Sequence, residues 1–207
     1  MSKKSELLSL VKGYAESQNS IYQKIDDINK NNELTPEGKD IRINKLVESF
    51  SSKAQNTHDR AISIVDNAIK SLQDKWKANS SGKLLDSNYQ IGLSNAINMI
   101  ETGAITKLED FKNIIDVYKD DYNALATISG LVRTDRQDLL MAIPVDNREY
   151  NLKLLNDLRN NIDNNINPYD VTENMSLVFS GLIQFIETRF TDNFIVVPWE
   201  KVTQNNN

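Results

Sequence analysis

The chain has 207 residues, a net charge of −5, 39% hydrophobic residues, one histidine and no cysteine. The absence of cysteine excludes disulfides, thiolate metal sites and cysteine nucleophiles, and a lone histidine excludes the common zinc sites. The length suffices for one core with or without an appendage, and a hydrophobic content below the usual ~45–50% indicates long, well-exposed helices rather than a compact enzyme.

The charge is distributed unevenly along the chain. Residues 1–86 carry 14 basic and 12 acidic side chains, whereas residues 87–207 carry 10 and 17. Because phosphate binding requires a concentrated basic surface, this balance argues against nucleic acid as the main partner. Met1–Lys4 and the polar segment after it do not resemble a signal peptide, and no run approaches the ~18 apolar residues of a membrane span. We therefore expect a cytoplasmic protein with no membrane partner.

The first predicted element is an amphipathic helix over residues 5–28. Leu7, Tyr14, Ile21 and Ile28 repeat every seven residues, and Gln18 interrupts the adjoining seam position. This pattern indicates a heptad-like seam of about three repeats. The short Asn-rich connection 29–34 predicts that the next helix packs antiparallel to this one.

The second predicted helix spans residues 35–76 and is the longest in the chain. Thr35 can cap its start, Pro36 suits the first helical position, and Glu37 complements the positive end of the helix dipole. Apolar or small residues follow an eleven-residue repeat, as in Ile43/Ala54/Val65/Trp76. The apolar stripe is narrow before Thr57 and wider after it. A narrow stripe suits one partner helix and a wide one suits burial among several, so we expect a projecting arm with its root in a helical core.

The segment Lys77–Lys83, with Asn79-Ser80-Ser81-Gly82 inside it, is the predicted linker. It separates a helical hairpin, residues 1–80, from a helical body, residues 84–200, with residues 201–207 as a disordered tail. Further helix starts are expected at Asp86 or Ser87, Thr106 with Glu109, Asp120-Asp121, Thr134 with Gln137, Asp146 and Thr172. Phe194–Trp199 is expected to be an extended segment. The predicted fold is all-α: an N-terminal antiparallel helical hairpin with one long helix, followed by a C-terminal multi-helix bundle.

No set of residues predicts a catalytic, cofactor-binding or metal site. His58 lies beside the apolar stripe of the long helix, where a structural role is expected. The acidic clusters Asp26-Asp27, Asp120-Asp121 and Asp135/Asp138 lie at helix ends or turns, so capping explains them. Carboxylate-bound Mg²⁺ remains an alternative at these clusters. Trp76 and Trp199 are expected in a core or an interface.

Residues Tyr122–Met141 resemble a helix-turn-helix loosely. Ala126 and Gly130 are four apart, but Ser129 and Arg136 occupy positions that are usually apolar, and Asp135 and Asp138 would repel phosphate. Arg133, Arg136 and Arg148 are the candidate basic face. DNA binding or a packaging role through this segment is the alternative function.

The segment Glu33-Leu34-Thr35-Pro36-Glu37-Gly38-Lys39 before a long polar helix resembles small helical proteins from the head and structural modules of phages of Gram-positive bacteria. The likeness covers about 50 residues, and a capped helix start accounts for the motif as well. The resemblance implies a virion or assembly component without catalytic residues. We therefore expect a non-enzymatic interaction or assembly protein, without cofactor, whose N-terminal hairpin binds a protein partner or a second copy.

Overall fold

A computed structural model describes residues 2–167, 171 and 174–197. Within these residues every regular element is a helix, which confirms the predicted all-α fold. The α-helices are α1 Lys3–Lys30, α2 Pro36–Ser81, α3 Ser87–Glu101, α4 Leu108–Tyr118, α5 Tyr122–Leu131, α6 Gln137–Leu140, α7 Arg148–Asn165 and α8 Ser176–Arg189, with a 3₁₀ turn at Gly82–Leu85 between α2 and α3.

The long helix α2 begins as predicted and ends later than predicted. The Thr35 hydroxyl accepts a hydrogen bond from the Gly38 amide at 3.2 Å, and Pro36 is the first helical residue. The helix continues to Ser81, so the prediction of a linker at Lys77–Lys83 is wrong over most of that segment. Asparagine and serine cost only a few tenths of a kcal/mol each in a helix, whereas Gly82 costs about 1 kcal/mol, and there the chain tightens into a 3₁₀ turn.

The chain forms two compact units that differ from the predicted division into an arm, 1–80, and a body, 84–200. The described residues of Met1–Ile69 and Tyr150–Asn207 form the first unit, and Lys70–Glu149 form the second. The long helix α2 contributes residues to both units. The expected tail, 201–207, and the expected cap Thr172 lie outside the described residues.

In the first unit, α1 and α2 are antiparallel neighbours. Lys39 Nζ donates to the Asn29 carbonyl at 2.6 Å near one end of the pair, and Arg60 Nη2 lies 3.4 Å from Glu6 Oε1 toward the other. The ring of Tyr14 packs against a ring of α2 and one of α8, with centroid distances of 5.5 and 5.3 Å. The hairpin therefore packs against a helix more than a hundred residues further along the chain.

The core of the first unit comes from all four of its helices. Its buried apolar side chains include Leu7, Val11, Ala54, Ala61, Val65, Leu155, Leu158, Ile162, Phe179, Leu182 and Ile186. They recur three, four or seven apart on each helix, as expected for helices that each bury one face. Toward the α1–α2 connection the burial declines: Ile25 is the last buried residue of α1, and none of Pro36–Ser49 is buried. This change matches the narrow stripe that predicted a two-helix contact in the first half of α2.

A buried asparagine of α7 holds the chain that follows α8. Asn151 Nδ2 donates to the Phe194 carbonyl at 3.0 Å, and Asn151 Oδ1 accepts from the Val196 amide at 2.8 Å. An isolated antiparallel bridge joins Phe190 to Val196, and Phe194 has a φ of 58°. The expected extended segment thus begins as a tight turn that folds back on the end of α8; its remainder, with Trp199, lies outside the described residues.

The second unit is centred on α4 and α5. Its buried apolar side chains are Ala96, Ile105, Phe111, Ile115, Tyr118, Ala124, Leu125, Ile128, Val132 and Leu139. Asp121, itself buried, caps α5 through Oδ1, which accepts from the amides of Asn123 and Ala124 at 3.1 and 3.2 Å. Its Oδ2 accepts from the Tyr89 hydroxyl at 2.7 Å, and burial together with this bond raises the pKa of Tyr89. The Asp121 carboxylate therefore caps α5 and also binds α3 through the Tyr89 hydroxyl.

Two of the predicted helix starts are wrong in detail, and two are confirmed. Asp86 and Asp121 cap α3 and α5. The capping box predicted at Thr106 does not form, because α4 begins one residue too late for it, with Lys107 at the cap position. The box predicted at Thr134 does not form either, because Arg136 occupies the cap position of α6. The Gln137 side chain donates through Nε2 to the Thr134 carbonyl at 2.8 Å, whereas in a capping box its oxygen would accept from the cap N–H.

Candidate interaction surface

Three adjoining hollows in the first unit form one open groove between α1 and α2, which we call the α1–α2 groove. Their volumes are about 300, 380 and 620 Å³. The first two share Ser17 and Lys53 in their linings, and the second and third share Ser49, so they follow one another along the helices. On α2 the groove extends from Arg60 to Arg42, a rise of about 27 Å at 1.5 Å per residue.

Small residues line the α1–α2 groove between its charged side chains, and we call them the floor of the groove: among them are Gly13, Ser17 and Ser20 of α1 and Ser49 and Thr57 of α2. The hydroxyls of Ser17, Ser49 and Thr57 donate to carbonyls of their own helices at 2.7, 2.8 and 2.9 Å. A Cβ atom added to Gly13 would meet no heavy atom within 4 Å. The floor is therefore open, and covering it leaves these hydroxyl donors satisfied.

The rim of the groove is basic although the chain as a whole is acidic. Five basic and two acidic side chains line it, a balance of +3 against −5 for the chain: Lys24, Arg42, Lys45, Lys53, Arg60, Glu16 and Asp27. No carboxylate of residues 2–167, 171 or 174–197 forms an ion pair with Lys24, Arg42 or Lys45. All three are exposed. Four of the five cations lie on α2, so one side of the groove is consistently positive.

Apolar side chains remain accessible beside these cations. Ile28 and Leu46 line the largest of the three hollows, and both are half-buried. Ile41, close by in sequence on α2, is 65% exposed. An open concave surface with apolar side chains and a charged rim is the usual composition of a protein-binding site.

The histidine singled out from the sequence lies outside this groove, in a polar contact between α2 and α7. His58 Nε2 lies 2.9 Å from Asp163 Oδ1, and Nδ1 lies 3.0 Å from Asp59 Oδ1. The bonds from His58 and Gln55 lower the pKa of Asp59. About two turns further along α2 and one turn back along α7, Arg159 Nε donates to Asp66 Oδ1 at 2.8 Å. These contacts join two helices of the first unit, as the structural interpretation of His58 expects.

The three arginines proposed as a DNA-binding face are each paired with a nearby carboxylate. Their Nη2 atoms lie 3.0, 2.9 and 2.7 Å from carboxylate oxygens, in the pairs Arg133–Asp135, Arg136–Asp138 and Arg148–Asp146. The arginine hydrogen bonds lower the pKa of Asp138 and Asp146. The would-be recognition helix, α6, has only four residues. A recognition helix presents several side chains along the major groove, which one helical turn does not provide.

One carboxylate of each of the pairs Asp26-Asp27 and Asp120-Asp121 has a structural partner. Asp26 pairs with Lys30 at 2.5 Å, and Asp121 caps α5. Within the described residues, no group of three or more histidine and acidic side chains is placed to hold a metal ion. Trp76 is half-buried, on the part of α2 that belongs to the second unit.

The sequence pattern predicts the hairpin of α1 and α2 but does not predict the α1–α2 groove. The available signal was the small residues Gly13, Ser17 and Ser20 on one face of α1, at helical spacing, with basic residues on the facing side of α2. The register between two helices is needed to bring these sets together, and periodicity alone does not supply it. The fold and the groove thus define an all-α protein with an open, basic-rimmed helical surface.

Comparison with protein-family models, with curated proteins and with solved structures found no match. Among the helices described, none combines the length and the apolar content needed to cross a membrane.

Proposed function

We propose that this protein is a non-enzymatic interaction or assembly protein that binds a helical partner in the α1–α2 groove. The observation that carries the proposal is the uncovered groove itself. It follows two long helices for about 27 Å, its floor is open at Gly13, and its rim holds cations that have no carboxylate partner among the described residues.

The groove supports binding rather than catalysis because of its chemistry. Its floor offers hydroxyls that are already bonded to their own helices, and its charged side chains stand on exposed rims. Catalysis requires titratable groups held in a site that excludes water. Docking of one helix into a groove between two others requires only shape and complementary charge.

The assembly that we propose is a phage particle or its precursor. This part of the proposal is supported by the resemblance of Glu33–Lys39 and the long helix after it to phage structural-module proteins. The site of action would then be the host cytoplasm or the virion. The genes beside the coding sequence test this assignment: capsid or tail genes are expected, and a neighbourhood of unrelated metabolic genes would contradict it.

The binding surface can be tested by photo-crosslinking in the cell that makes the protein. A photoreactive amino acid at Ser20, in the groove, is expected to give one dominant protein adduct. The same amino acid at Lys112, an exposed residue of α4, is the matched control and is expected to give none. No adduct from Ser20, or equal adducts from both positions, would contradict the proposal.

Truncation of the hairpin is unsuitable for this test. Residues 1–69 share their core with α7 and α8, so their removal exposes side chains such as Phe179 and Leu155 and unfolds the first unit. Filling the groove from Gly13 is the sharper perturbation, because that position has free space and lies outside the core.

A further inference from the structure

We infer that the occupant of the α1–α2 groove is an α-helix of another protein that carries a narrow apolar face and a flank of aspartate and glutamate side chains. This inference rests on the proposed function and adds the chemistry of the partner. It is carried by three features of the groove: the sign of its rim, the position of its cations, and the shape of its floor.

The rim selects an acidic partner because four of its five cations have no carboxylate partner among the described residues. The groove lining carries +3 within a chain of −5, and Arg42 and Lys45 have no carboxylate partner in the part of the chain that the structure describes. Lys53 makes only a 3.3 Å hydrogen bond to the Ser17 hydroxyl, and Arg60 lies 3.4 Å from Glu6. These side chains can turn to an incoming carboxylate at little cost.

The cations also fix which flank of the partner is acidic. Arg42, Lys45, Lys53 and Arg60 all stand on α2, whereas the α1 side of the groove mixes Lys24 with acidic residues. A helix in the groove therefore faces positive charge along one side over its whole length. The acidic flank of the partner lies against α2, and its other flank can be mixed or neutral.

The shape of the groove suits a helix of about 18 residues, since its length of about 27 Å is that of five helical turns. The small floor residues let a third helix approach closely, with its apolar side chains over Ile28 and Leu46. A narrow apolar face is enough, because Ile28 and Leu46 are the apolar side chains that line the largest of the three hollows.

A second copy of this chain is a poorer occupant than an acidic helix. Two identical grooves placed face to face would bring +3 against +3, which opposes association. An anionic membrane complements the charge but presents no row of side chains that could fill the three hollows. Both alternatives are outcomes of the experiment below.

The experiment selects helical peptides on the intact protein. A display library of peptides about 20 residues long keeps a leucine and alanine stripe and varies both flanks among glutamate, glutamine and lysine. We expect enrichment of glutamate on one flank, and about tenfold weaker binding of the selected peptides to the Lys45→Glu, Lys53→Glu double variant. The double variant Lys112→Glu, Lys153→Glu, with the same net charge, is the control and is expected to bind them unchanged.

The Gly13→Leu variant tests whether the selected peptides bind in the groove. It is expected to abolish binding, whereas Gly181→Leu, in equally open space on α8, is expected to leave binding intact. A melting temperature at or above that of the parent protein in both variants excludes unfolding as the cause, because leucine favours a helix over glycine. Peptides that bind Gly13→Leu as well as the parent protein would overturn the inference.

Three further results would also overturn it. The first is enrichment of lysine or of neither charge in the library. The second is a dimer in analytical ultracentrifugation that Gly13→Leu dissociates. The third is binding to phosphatidylserine vesicles that Gly13→Leu leaves unchanged, while the library yields no helix. The proposed function fails separately, through the loss of crosslinking at Ser20. A Ser20 adduct with a partner segment that is not acidic would refute the partner class alone.

Discussion

Replacement of Gly13 by alanine tests whether the floor of the α1–α2 groove is open in solution. Glycine in a helix interior costs about 0.8–1.0 kcal/mol relative to alanine. An added Cβ at Gly13 meets no heavy atom within 4 Å, so it introduces no clash and buries nothing new. The helix-propensity difference should therefore appear undiminished, as a gain of about 1 kcal/mol in the free energy of unfolding. Urea unfolding followed by circular dichroism measures it.

Other glycines of the chain provide the controls for this prediction. Gly181, also in open space within a helix, should give the same gain of about 1 kcal/mol when replaced by alanine. At Gly92 the new Cβ would lie 3.3 Å from the Tyr118 hydroxyl, so little or no gain is expected. At Gly103, whose φ is +70°, alanine should cost about 1 kcal/mol. A loss of stability in Gly13→Ala would refute the reasoning, because something would then occupy the floor of the groove.

Two further predictions concern buried polar side chains. Asp121→Ala should destabilise the protein by about 3 kcal/mol, because it removes a helix cap and leaves the Tyr89 hydroxyl without its acceptor. Asp120→Ala, one residue away and exposed, should change stability by less than about 0.5 kcal/mol. Asn151→Ala should cost about 2–4 kcal/mol, since the buried Phe194 carbonyl and the part-buried Val196 amide lose their partner. The exposed Asn156→Ala should cost less than about 0.5 kcal/mol. Urea unfolding measures all four, and equal effects within either pair would contradict the assigned roles.

The sequence predicted the start of a helix correctly where a single capping residue or proline determines it. Thr35 and Pro36 marked the start of α2, and Asp86 and Asp121 marked two other helix starts, because a cap acts on amides two or three residues away. The sequence predicted that α2 ends at Trp76, but the helix continues to Ser81. Asparagine and serine oppose a helix only weakly, so the preceding helical turns determine the conformation of residues 79–81.

The pairing of distant helices was beyond what periodicity can show. The stripe of α1 predicted that one face is buried, but not that Tyr14 packs on Phe179 of α8. Periodicity shows which face of a helix is buried, but it does not show which other helix packs on that face, because many apolar stripes can pack against one another. The predicted boundary near residue 80 therefore differed from the observed units, which join residues 1–69 to the C-terminal helices.

The α1–α2 groove could be predicted only in part for the same reason. A narrow stripe and a short connection predicted two antiparallel helices with exposed flanks. The alignment of Ser17 with Lys53, and of Ile28 with Leu46, depends on the register between the helices. That register is set by the packing of the whole first unit, including α7 and α8.

The most direct test of the account is the affinity of the partner crosslinked at Ser20 for three forms of the protein, measured by isothermal titration calorimetry. The account predicts that the parent protein and Gly181→Leu bind the partner equally. It also predicts that Gly13→Leu binds it at least tenfold more weakly, about 1.4 kcal/mol or more, with no loss of thermal stability. Equal affinities of all three forms would contradict the claim that the α1–α2 groove is the surface through which this protein acts.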